Sequence, residues 1–138
     1  MGEVKYERNM ITCTNLKANY QTSASNGTTQ MQMDATVEKG GKGAGFKPHE
    51  VLEAAIAGCM NMWIRMYADS QSFPLTGVSV TVSLDETTMS DAIFRYSVKL
   101  DGDDLDSQQK KLLIQAGLAC PVRETLAKHI SIQYSSRI

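Results

Sequence analysis

The chain has 138 residues, a formal net charge of −1, 42% apolar residues and 21% charged residues. That length suits one domain burying about two thirds of its unfolded surface. The near-neutral balance, with no cluster of Lys or Arg, excludes the basic footprint that a nucleic-acid partner requires and gives no attraction to an anionic membrane surface.

Met1–Arg8 carries no apolar run of the secretory kind. Gly2 is followed by Tyr6 where myristoylation wants Ser or Thr. No apolar run approaches the roughly 20 residues of a membrane span. A cytoplasmic protein is expected. Three cysteines are too few for a secreted disulfide scaffold, and in a reducing compartment a thiol pair points to catalysis or metal binding.

Two β-like runs, at 10–20 and 29–37, flank Ser23–Gly27, and Asn26-Gly27 is a strong hairpin signal. Met31, Met33, Ala35 and Val37 alternate with polar residues, which predicts one buried strand face. Gly40–Gly45 lacks the Lys-Ser ending of a phosphate-binding loop and reads as a connector. Pro48 suits the first turn of a helix, where its missing N–H costs nothing, and Glu50 and Glu53 complement the helix dipole. Leu52, Ala55, Ile56, Cys59, Trp63, Met66 and Tyr67 follow three- and four-residue spacing, with Ala54, Ala57 and Gly58 between them. A helix apolar on several sides should be buried at the centre of the fold. Gly77–Leu84 and Ala92–Leu100 alternate as strands, and Leu105–Ala119 is a second amphipathic helix with Ser107 as its expected cap. Pro121 restarts a short helix to about Ala127, and Ile130–Tyr134 reads as a last strand. The order implies an α+β fold with antiparallel sheets. It is read as a single domain over 1–138: hairpin about 10–38, central helix about 48–69, strands about 77–100, second helical region about 105–127, last strand about 130–135.

The reactive form of a cysteine is the thiolate, so a working thiol needs a neighbour that favours ionisation. Cys120 stands just before Pro121, near a helix N-terminus, with Arg123 one turn on. Cys59 lies deep in the central helix. His49 and Glu50 precede it by ten and nine positions, about 14 Å along the axis, too far to touch it. A cysteine on an apolar helix face is also an ordinary small core residue, and that reading stays open for Cys59; Cys13, without an acid–base neighbour, reads as packing. Met60, Met62 and Met66 could offer soft metal donors or simply fill gaps. His49 and His129 show no zinc-ligand spacing with the cysteines, so no metal site is assigned.

Taken together, the Pro48-x-Glu50 helix start, Ala57-Gly58-Cys59, the alternating strands after it and Cys120-Pro121-Val122 resemble the OsmC/Ohr family, from about Thr29 to Tyr134. These are osmotically inducible and organic hydroperoxide resistance proteins. The resemblance implies an intertwined homodimer and a thiol peroxidase acting on organic hydroperoxides. By that analogy Cys59 is oxidised to a sulfenic acid, Cys120 resolves it as a disulfide, and a dithiol, lipoyl-type in well-known members, resets the enzyme. Glu50 is the weaker candidate, for polarising the site. No organic cofactor or metal is implied. Hydroperoxide-resistance members place Glu directly after the proline, where this chain has His49, and supply an Arg from the N-terminal strands. Between Met10 and Val37 the only cation here is Lys17, with Arg8 just outside. The sequence is therefore closer to the less characterised OsmC-like branch. A non-catalytic small-molecule-binding or redox-sensing protein of the same fold is the alternative.

Overall fold

The structure is a computed structural model, describing residues 10–136. Gly2, Tyr6 and Arg8 lie outside the described residues. In chain order it has β1 (Thr12–Asn15), β2 (Thr22–Ser25), β3 (Gln30–Met33), a 3-10 turn at Val37–Lys39, α1 (Pro48–Gln71), β4 (Gly77–Asp85), β5 (Ile93–Asp101), α2 (Ser107–Leu118) and α3 (Pro121–Leu126). It is a mixed α+β fold with antiparallel sheets and three helices. The described residues gather into two compact units, one formed by residues 10–50 and 133–136, the other by Val51–Ile132.

In the first unit β1, β2 and β3 form an antiparallel sheet in that order, with Cys13 opposite Ala24 and Ala24 opposite Met31. The Asn26-Gly27 turn joins β2 to β3: the Asn26 Oδ1 accepts the Thr28 and Thr29 N–H groups at 3.0 and 2.7 Å, and Gly27 takes φ 98°. The expected two-stranded hairpin is thus one strand short. Residues 16–21 reverse the chain through the Leu16 N–H to Gln21 carbonyl bond (2.8 Å), with Tyr20 at φ 67°. That conformation is costly for an aromatic residue, so the sequence carries no ordinary turn signal there.

The predicted buried face of β3 is also corrected. Met31 and Val37 are exposed, and Asp34 is 2% exposed instead. Its carboxylate accepts N–H groups from Ala35 (2.7 Å), Lys42 (3.1 Å) and Ala44 (3.0 Å). Four satisfied contacts, counting the Gln21 side chain, are what let a charge sit inside. They hold its pKa below the ordinary carboxylate value, the Ala44 N–H most of all, against the opposing effect of burial. Gly40–Gly45 is therefore an ordered wrap around Asp34, and a Cβ at Gly41 would collide with the Ala35 carbonyl.

The second unit is built on α1. The helix begins at Pro48, where the Lys47 N–H donates to the Glu50 carboxylate at 2.8 Å, half of a capping box. Its buried stripe is Ile56, Met60, Ile64 and Ala68, every fourth residue. Leu52, Ala55, Met62 and Met66 are exposed, so the central helix is buried along one stripe only. The predicted stripe was rotated because apolar residues fill several faces of α1 and blur the period.

β4 and β5 pair antiparallel from Gly77↔Asp101 to Asp85↔Ile93. Asn61 donates to the Val78 carbonyl (2.9 Å), and the Leu84 N–H donates to Glu53 (2.9 Å), tying β4 to α1. The main core gathers Ile64, Ala68, Leu75, Leu105 and Leu113. α2 starts at an Asp106 cap, not at Ser107: Asp106 accepts the Gln109 N–H at 2.7 Å, and Gln109 reciprocates at 3.1 Å. The two helices approach closely at Gly117, where an added Cβ would stand 3.0 Å from the Ile64 Cδ1.

No strand forms over Ile130–Tyr134. Ile130, Ile132 and Tyr134 alternate as a strand should, yet they stand exposed and no described strand pairs with them. Alternation supplies a face, but a strand also needs a neighbouring edge to bond.

Candidate functional site

Cys59 and Cys120 are 61 positions apart in the chain, and both belong to the second core cluster, with Ile56, Met60, Val80, Val82, Phe94, Leu118, Val122 and Leu126. Cys120 is fully buried, and Cys59 is partly buried. The two side chains face one another closely enough for Cys120 to act directly on the ionisation of Cys59. Neither thiol is in a disulfide.

Local geometry explains how the pair is assembled. Cys120 is the N-cap of α3, extended at φ −60° and ψ 130°, with Pro121 in the first turn. Its Sγ accepts the Arg123 N–H at 3.3 Å. The Val122 N–H faces Cys59 and favours its thiolate. The first turn of α3 therefore offers one backbone donor to each sulfur. Arg123 was the expected source of charge, but it acts through its backbone: its guanidinium donates to the Leu118 carbonyl at 3.2 Å.

Burial pushes the Cys59 thiol above its ordinary pKa, Val122 partly opposes this, and Cys120 adds to it through hydrogen bonding and like charge. Cys59 accordingly holds its proton more firmly than a free cysteine does. Val122 was not anticipated. The Cys-Pro start could have pointed to it, because the N–H groups that follow a first-turn proline have no partner within the helix.

Cys59 opens on a cavity of about 310 Å³ lined by Ala54, Ala55, Gly58, Met62, Trp63, Met66 and Val122. The lining is apolar, so a ligand reaching Cys59 would be held by its hydrocarbon part. Glu50 stands in the first turn of α1. Its carboxylate takes the Lys47 N–H and pairs with the Lys47 Nζ at 3.4 Å, and these contacts, the backbone bond first, lower its pKa. Lys17 is exposed in the turn after β1. Cys13, expected as packing, is exposed on β1. Among the described residues no three His, Cys, Asp or Glu side chains gather to hold a metal ion, and no helix is long and apolar enough to cross a membrane.

Comparison with known proteins bears on the fold and the family. A Psychrobacter arcticus protein described as an osmotic stress induced and detoxification response protein superimposes with a TM-score of 0.70 at 23% identity, covering 87% of this chain and 90% of that one. An OsmC-like protein from Mycoplasma pneumoniae gives 0.68 at 18% identity, covering 88% of each chain. A Legionella pneumophila organic hydroperoxide resistance protein gives 0.60 at 21%, covering 86% of this chain and 89% of that one. At such identities the likeness is one of fold. No curated protein matches the sequence. Residues 39–135, which contain both facing thiols, match the family described as OsmC-like protein, and the chain belongs to that family.

Proposed function

We propose that this chain is a thiol peroxidase that reduces organic hydroperoxides. The single observation that carries the reading is the meeting of Cys59 and Cys120 in one buried cluster; membership of a family with hydroperoxide-resistance relatives supports it. In this reading the Cys59 thiolate attacks the distal peroxide oxygen. The O–O bond breaks, leaving Cys59–SOH and, after proton uptake, an alcohol. The Cys120 sulfur then attacks the sulfenic sulfur, forming the disulfide and releasing water. A dithiol of the lipoyl type returns both cysteines to thiols and is itself oxidised to a disulfide. Cys59 takes the attacking role because it lines the cavity while Cys120 is buried. Glu50 is assigned to holding the start of α1. A homodimer belongs to the same proposal, since the open stripe of α1 at Leu52, Met62 and Met66 leaves large apolar side chains in water.

The raised pKa of Cys59 favours a second reading, a protein of this fold that binds a small apolar molecule without turning it over. Steady-state assays with cumene hydroperoxide and dihydrolipoamide separate the two. Sustained consumption of both, lost in Cys59→Ser, supports the peroxidase. Quenching of Trp63, the one tryptophan and part of the cavity wall, without consumption supports the binding protein.

A further inference from the structure

We propose that the reduced Cys59–Cys120 pair is also a binding site for a soft monovalent cation, Cu(I), held between the two sulfurs. Four observations converge. Cys59 packs in the same core cluster as Cys120, close enough for a hydrogen bond between the two side chains. Met60, buried in the same cluster, adds a thioether to it. Met62 and Met66 line the cavity onto which Cys59 opens. The rest of that wall is Ala54, Ala55, Gly58, Trp63 and Val122, with no hard oxygen donor among the side chains.

Donor chemistry then selects the ion. Thiolate and thioether sulfur prefer Cu(I), whereas Mg(II) and Ca(II) need oxygen and structural Zn(II) takes four ligands. Cu(I) is content with two strong sulfur donors.

Charge balance fits as well. Two thiols and one Cu(I) give a bis-thiolate complex of charge −1 and release two protons, with no change of oxidation state. The single negative charge would meet the Val122 and Arg123 N–H groups already directed at the two sulfurs. Occupation would also tie up the Cys59 lone pairs, so a loaded chain should resist alkylation and hydroperoxide alike.

The test is anaerobic. Fully reduced, full-length protein competes with bathocuproine disulfonate for Cu(I), and the chelator's absorbance reports the metal it retains. Wild type should withdraw one Cu(I) per chain. Cys59→Ser and Cys120→Ser should each bind at least about 100-fold more weakly, Met60→Leu roughly 10-fold more weakly, and Cys13→Ser as well as wild type. X-ray absorption should find a copper shell of sulfur alone. Because unfolding of Cys120→Ser would also weaken binding, protection of wild-type Cys59 from iodoacetamide by one equivalent of Cu(I) provides an independent readout. Retention of the copper by the chelator, an oxygen or nitrogen shell, equal weakening by Cys13→Ser, or unprotected Cys59 would each overturn the proposal. None of these readouts uses a peroxide, so the copper site and the peroxidase reading stand or fall separately.

Discussion

The two units of this chain solve the problem of burial in opposite ways. The first encloses a charge: Asp34 is 2% exposed, and its neighbours are arranged to give it N–H groups. Among the described residues of that unit, Ala24 is the buried apolar one. The second encloses hydrocarbon and sulfur, with Ile64, Ala68, Leu113 and Cys120 all at 0% exposure. The difference teaches where chemistry can reside. A carboxylate saturated with donors is held ionised more firmly than a free one, which suits a structural post. A thiol in an apolar cluster has its ionisation set by a few neighbours and can be switched by a reactant.

The largest effect should come from the reactive side of this contrast. Cys59→Ser should lower hydroperoxide turnover by at least about 1,000-fold, measured as dithiol oxidation, with the melting temperature little changed. Asp34→Ala should do the reverse. It strands the Ala35, Lys42 and Ala44 N–H groups, so amide exchange over 40–45 should accelerate strongly while the reactivity of Cys59 in the other unit persists. If that loop exchanged no faster, the carboxylate would not be the post described. Within the second unit, Gly117→Leu should cost about 1–3 kcal/mol in urea unfolding, because the new side chain meets Ile64 and Met60. Asp106→Ala, which removes an exposed cap, should cost about 1 kcal/mol by the same measurement.

The pH responses of the units should also have opposite signs. Asp34 has a lowered pKa in the folded chain, so its contribution is present above the unfolded carboxylate value and disappears as pH falls through the folded one. Cys59 has a raised pKa, so its contribution is complete below the unfolded thiol value and is lost as pH rises through the folded one. Alkylation of Cys59 should follow the same raised value, with a midpoint above that of a free cysteine. A midpoint below it would mean that a cation absent from the described surroundings holds the thiolate.

What could be read from the sequence follows this division. The second unit and the helix start that leads into it were largely legible: Pro48 marked the start of α1, alternation marked β4 and β5, and Cys120-Pro121 marked the start of α3. These are local rules acting on residues whose surroundings agree with them. The stripe of α1 was displaced because Met60, Ile64 and Ala68 compete with equally apolar neighbours for the inside. In the first unit the determinants are long-range or disguised. Tyr20 turns the chain without Gly or Asn chemistry at its own position, and Asp34 is explained only by donors up to ten residues away. Ile130–Tyr134 satisfied the periodicity of a strand, but pairing depends on an edge that periodicity does not specify. At the site, the two cysteines were legible as a pair through the family resemblance, while the Val122 and Arg123 backbone donors came from the fold.

The account depends most directly on Cys59 and Cys120 acting as one redox unit. Reduced protein exposed to a single equivalent of an organic hydroperoxide, quenched with acid and digested, would report this by peptide mass spectrometry. The predicted product is one cross-linked peptide pair joining Cys59 to Cys120, formed well before Cys13 is modified, with a sulfenic acid accumulating at Cys59 in Cys120→Ser. Cys59 left reduced, or oxidised no faster than Cys13, would contradict it.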